Sequence, residues 1–113
     1  MKKIFISIPM RDKTVDEIRD QIFDIFNMYR KQSDEEDFKL IDTLFTDDEP
    51  EEVKTHCWYL GKSIMKLAEA DLVIFAPDWY NAPGCIIERE VAYKYGIPYK
   101  VMGTKPDGSL IFY

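Results

Sequence analysis

The chain has 113 residues, 46% hydrophobic, 14% aromatic and 32% charged, which is the makeup of one globular domain with one core. Its 15 basic and 21 acidic residues give a net charge of -6, which disfavours a nucleic acid polymer as partner but leaves room for one locally held phosphate. No stretch approaches the roughly 20 apolar residues that span a bilayer, so no membrane partner is expected.

Met1-Lys2-Lys3 followed by an apolar run resembles the start of a signal peptide, but the run is short and Arg11-Asp12-Lys13 follows at once. Residues 4–8 are better read as a strand, and their nearly continuous apolar character requires burial on both faces, as in a central parallel strand. Thr14-Val15-Asp16-Glu17 fits a capping box, and Ile18, Ile22, Ile25, Phe26 and Tyr29 recur at helical spacing, so a helix is predicted over 14–31. Residues 33–37 read as an acidic connection and 38–41 as a shorter strand. The acidic run 46–52 lacks the Gly that an EF-hand turn needs, so it reads as a loop and not as a cation site.

A second helix is predicted over 53–70 from Cys57, Leu60, Ile64, Leu67 and Ala68. Gly61 inside it costs about 1 kcal/mol relative to Ala, which points to close packing or ligand approach. Trp58 and Tyr59 read as core or interface. Residues 71–76 form another continuous apolar strand, and 77–84 a loop rich in turn formers. A third helix runs to about 95, where Gly96 and Pro98 stop it. A strand over 99–102, a turn at 106–108 and a final strand over 110–113 complete the chain.

This alternation predicts an α/β fold: a doubly wound, mostly parallel four- to five-stranded sheet with three helices, Rossmann- or flavodoxin-like. In such sheets ligands bind beyond the carboxyl ends of strands, here residues 9–13 and 77–84. Cys57 and Cys85 lack CxxC spacing, and His56 is the only further soft ligand. Both thiols are therefore read as reduced, the compartment as cytoplasmic, and His56 as structural. Neither GxGxxG nor GxxxxGK[ST] occurs, so no dinucleotide, NTPase or other cofactor chemistry is expected, and no metal.

Glu88 breaks the pattern of the third helix. On a helical wheel Gly84, Cys85, Val91, Ala92 and Tyr95 all fall within about 60° of it, so it occupies the centre of the apolar stripe. A carboxylate there, about one turn from the helix start, needs a partner or a cavity, because burying it unpaired costs several kcal/mol. One reading is satisfaction by the helix dipole and a neighbouring amide or basic residue; the other is a nucleophile or base aimed into a pocket at the strand ends.

Lys3-Ile4-Phe5-Ile6-Ser7-Ile8-Pro9-Met10-Arg11, Ala70-Asp71-Leu72-Val73-Ile74-Phe75 and Gly84-Cys85-Ile86-Ile87-Glu88-Arg89-Glu90-Val91-Ala92 together resemble the nucleoside 2-deoxyribosyltransferase superfamily, in particular its small bacterial and phage branch. The most specific part is Gly-x-x-x-Glu-x-x-x-Ala after a strand and loop. The resemblance implies that Glu88 attacks the anomeric carbon of a 2-deoxyribosyl group and releases the base, the sugar then passing to another base or to water. It also implies a small-molecule nucleoside or nucleotide ligand and a homo-oligomer with sites near subunit contacts.

Three positions depart from the pattern. Ser63 stands where characterised members carry an Asp that handles the leaving base, Ala82 replaces a polar residue that contacts sugar or phosphate, and Glu90 replaces a Gly. Loss of a general acid typically costs about 10²- to 10⁴-fold. Asp78 or Asn81 is the expected substitute, so the catalytic set is Glu88, Asp78 and Asn81. The substrate-binding set is Ser7, Pro9, Met10, Arg11, Ser63, Trp79 and Gly84. Within it Ser7 and Arg11, with Lys13, lie where a strand runs into a capped helix and a phosphate can be held. Trp79 and Tyr80 offer faces for a base, or for a subunit contact. The competing readings are a non-catalytic nucleotide-binding or sensing module, and an interaction domain whose aromatic loops serve oligomerisation.

Overall fold

Strand β1 (Lys2–Ser7) sends alternate side chains to opposite faces, with Ile4 and Ile6 on one side and Phe5 and Ser7 on the other, and all four are buried. The computed structural model describes residues 1–33, 37–44, 51 and 53–113. The acidic loop expected over 46–52 lies, apart from Glu51, outside the described residues. Helix α1 (Val15–Gln32) starts as its sequence predicts. The Thr14 hydroxyl accepts from the Glu17 amide at 3.1 Å, and Glu17 Oε1 accepts from the Thr14 amide at 3.2 Å. Its Ile18, Ile22, Ile25 and Phe26 pack on Ile4, Ile6, Ile8, Leu72, Ile74 and Met102.

The chain continues through β2 (Phe38–Leu40), α2 (Thr55–Leu67), β3 (Leu72–Phe75), α3 (Pro83–Lys94), β4 (Tyr99–Thr104) and β5 (Leu110–Phe112), with a short 3₁₀ turn at Trp79–Asn81. The opposite face of the sheet carries a second core, in which Phe5, Val73 and Phe75 meet Leu67 of α2 and Val91 of α3. Helices thus lie on both faces.

The strand order is β2-β1-β3-β4-β5. The first four strands are parallel, and β5 is antiparallel to β4, with Gly103 opposite Ile111. The sheet is therefore mixed. The reason lies in the connection: Lys105 to Ser109 closes a turn held by 2.7 Å and 2.9 Å backbone bonds, with Gly108 at φ 88°, and so short a link cannot make a parallel crossover. From β1 the chain runs to β2 on one side and returns to β3 on the other, so the connections leaving β1 and β3 diverge at their carboxyl ends.

Three local expectations are corrected. Helix α2 is shorter than 53–70, and its inward face is turned: Ser63 and Leu67 are buried, Leu60 and Ile64 half-buried, and Cys57 and Ala68 exposed. Gly61 is exposed, and a Cβ built on it would meet nothing within 4 Å, so close packing does not explain it. Tyr95 is 80% exposed because α3 ends at Lys94 and Gly96 takes φ 70°, which removes Tyr95 from the helical stripe. Among the described residues no helix is long and apolar enough to cross a membrane.

Candidate functional site

The site grows from the parity of β1 and the start of α3. Ser7 follows Phe5 onto the face covered by α2 and α3, at the carboxyl end of β1, where its carbonyl accepts from the Ala76 amide just past β3. Helix α3 begins with Pro83 in its first turn and without a side-chain cap. Gly84, Cys85 and Glu88 follow at i, i+1 and i+4, with Glu88 between the other two on the helix circumference, and the side chains of Cys85 and Glu88 come near Ser7.

Glu88 is 7% exposed, Cys85 3% and Ser7 2%. Neither the Ser7 hydroxyl nor Glu88 Oε2 has a hydrogen-bond partner. Burial pushes the Glu88 carboxyl up from 4.5 to about 7, and the nearby Ser7 hydroxyl counteracts part of that rise. Proximity without a closed hydrogen bond describes this pair: the hydroxyl dipole is near enough to favour the anion, yet both groups keep a free valence. The same burial lifts the Cys85 thiol from 9.0 to about 11. Ser7 lowers it, the charges of Glu88 and Asp78 raise it, and Lys13 lowers it slightly. These influences on one thiol bring Ser7, Lys13, Asp78 and Glu88 into one electrostatic neighbourhood.

Of the other residues singled out, Asp78 is half-buried before the 3₁₀ turn, with Oδ1 buried and unpartnered. Asn81 is exposed at the end of that turn. Gly84 lies between the helices: a Cβ there would stand 3.8 Å from Leu60 of α2 and 4.0 Å from Glu88 Oε1. Ser63, one turn beyond Leu60, is buried on the inward side of α2. The loop after β1 turns through Asp12 at φ 63°, with Pro9 half-buried and Met10 and Arg11 exposed. Lys13, not Arg11, is the fixed cation of that loop, its Nζ donating to Gln21 Oε1 at 2.7 Å.

Trp79 is not an open platform. The Arg89 guanidinium lies 5.1 Å from its ring centre and 5.6 Å from that of Tyr99, while Phe75 and Tyr80 meet the Trp79 ring edge to face. Arg89 Nε is buried without an acceptor. Sequence reading placed Cys85 on the stripe beside Glu88 and took it as a reduced thiol without giving it a role in the site, and it named Arg89 only as a letter of a motif. The i−3 spacing of Cys85 from Glu88 was an available signal for the first, whereas the stacking of Arg89 has none.

Among the described residues no group of three or more His, Cys, Asp or Glu side chains is placed to hold a metal. The arrangement offers one desolvated carboxyl beside a hydroxyl and a thiol, a second carboxyl at the rim, and one anchored cation. Comparison of the chain with models of protein families and with curated proteins finds no match.

Proposed function

We propose that this chain is a doubly wound, Rossmann-like α/β enzyme of the nucleoside 2-deoxyribosyltransferase type, cleaving the N-glycosidic bond of a deoxynucleoside or its monophosphate. One observation carries the reading: Glu88, the nucleophile that the resemblance implies, has a buried carboxyl with an unpartnered oxygen where the strand order reverses. A carboxylate held there with one oxygen unpartnered keeps that oxygen free to bond to carbon.

In the reaction, Glu88 Oε attacks the anomeric carbon as its bond to the base nitrogen breaks, the electron pair leaves with the base, and Asp78 protonates the base or Asn81 donates a hydrogen bond to it. The glycosyl ester is then opened by a second base or by water, which regenerates the carboxylate. Asp78 is the stronger candidate for the acid, because it faces the Cys85 and Glu88 neighbourhood while Asn81 is exposed. Lys13 and Ser7 are the groups for a 5′-phosphate, with Arg11 free in solvent to join them. The reading includes a cytoplasmic location, which two free thiols favour, and a homo-oligomer, which exposed Ile86, Ile87 and Tyr93 on α3 favour.

The test is incubation with each deoxynucleoside and deoxynucleoside monophosphate, with and without a second free base, followed by chromatography for released base. Release that disappears in Glu88→Gln supports the enzyme. Saturable binding with no product would instead favour the nucleotide-binding module, the outcome to which buried Ser63, in place of a leaving-base acid, lends weight.

A further inference from the structure

A groove lined by Lys3, Lys39, Ile41, Asp42, Lys66 and Glu69 lies on the α2 side of the sheet, with a volume of about 250 Å³. It is separate from the Glu88 site. Lys3 is at the amino end of β1, four residues and roughly 13 Å from Ser7 along the strand.

Its charges are unevenly compensated. Glu69 pairs with Lys66 at 3.6 Å, Asp42 Oδ1 accepts from the Leu44 amide at 3.0 Å, and the neighbouring Asp71 accepts from the Lys3 backbone amide at 2.7 Å. Among the described residues the side chains of Lys3 and Lys39 have no carboxylate partner. These two lysines are also register partners in the parallel β1–β2 ladder, so their side chains leave the same face of the sheet on neighbouring strands. Like charges on one face of neighbouring strands repel one another, and in a chain of net charge -6 such a pair is not a by-product of general basicity.

We propose that this groove is a second ligand site, which takes the phosphate group of a small phosphorylated molecule between Lys3 and Lys39, with Lys66 as a third cation at its edge. Lysines serve phosphate as compact point charges, and a multiply charged oxyanion turns their mutual repulsion into shared attraction. The volume admits a phosphate with a short organic attachment, and the half-buried Ile41 supplies apolar wall for that attachment.

The experiment titrates the intact chain with inorganic phosphate against sodium chloride at matched ionic strength, following Tm and the backbone amide NMR shifts. Phosphate at ten times its Kd raises Tm by about 5 °C. Shifts concentrate at Lys3, Lys39 and Lys66, and Lys39→Gln abolishes the shifts at these three lysines whether or not phosphate also reaches Lys13. Lys39→Glu raises Tm in phosphate-free buffer, because it replaces the repulsion by a pair, and binds no phosphate. The proposal is overturned by the absence of phosphate-specific shifts at Lys3, Lys39 and Lys66, or by shifts there that survive Lys39→Gln. A fall in Tm for Lys39→Glu without phosphate would refute the repulsion on which it rests.

Discussion

In Glu88→Gln the carboxyl becomes an amide of nearly the same shape that carries no charge, so the pH dependence of its stability isolates the burial of Glu88. The wild-type group titrates at about 7 in the native chain, against 4.5 for an ordinary glutamate. Between those values the native state binds more protons than the unfolded state, so unfolding free energy falls as pH rises. The native advantage is complete below pH 4.5 and gone above pH 7, a difference of about 3 kcal/mol. Glu88→Gln lacks this decline. Its stability relative to wild type therefore rises by about 3 kcal/mol from pH 4.5 to pH 8, or about 10 °C in Tm for a chain of this size. Urea unfolding of both proteins across that range measures it. The other carboxyls, including Asp107, held below its usual range by bonds from Ser109, are common to both proteins and cancel. A constant offset would report only how well the amide fits beside Ser7. A difference that does not change with pH would refute the desolvation of Glu88 and the reading of the site built on it.

The two thiols should separate in a reagent titration at pH 8. Exposed Cys57 reacts at once, whereas Cys85, raised to about 11, has about 100-fold less thiolate than at its ordinary value and reacts fully only on unfolding; two equal fast phases in the native protein would contradict this. Gly61→Ala should stabilise the chain by about 0.5–1 kcal/mol in urea unfolding, since the added methyl enters open space on a helix; destabilisation would mean that this face of α2 is covered in solution. Thr14→Ala should cost about 1 kcal/mol by removing one arm of the capping box, and an unchanged midpoint of unfolding would show that α1 does not depend on it.

What the sequence makes legible is what local pattern determines. The run from Ile4 to Ile8 needs burial on both faces and has it, and the capping box marks the first turn of α1 to the residue. Glu88 stands out because its neighbours at helical spacing are apolar, and Cys85 and Ala92 are indeed buried around it. The rest depends on tertiary docking. The inward face of α2 passes through Ser63 and not Cys57, because the helix docks through Leu60, Ser63 and Leu67, and a polar residue in that row leaves no apolar signal. The wheel carries Tyr95 into the stripe only if the helix continues, and the left-handed Gly96 ends it first. No spacing rule foretells that Arg89 would lie against Trp79 and Tyr99, since those residues come from a turn and a strand on different sides of α3 in sequence.

The electrostatics of the site have a consequence for the proposed reaction. Near pH 7 Glu88 populates both its protonated and ionised forms, and only the ionised form can attack carbon. Asp78 and Glu88 both raise the Cys85 thiol while Lys13 lowers it, so acidic groups outweigh the cation that acts on that thiol. A neutral ligand would leave that imbalance unchanged. A sugar that develops positive charge at its anomeric carbon relieves it, and an adjacent positive charge lowers a carboxyl pKa. Ionisation of Glu88 and cleavage of the glycosidic bond would therefore favour one another, and the burial that makes the empty site unfavourable to an anion becomes selective for the transition state over the ground state. The same burial keeps the unliganded carboxyl less ionised at a given pH than an ordinary glutamate, and so less reactive until the cationic centre forms.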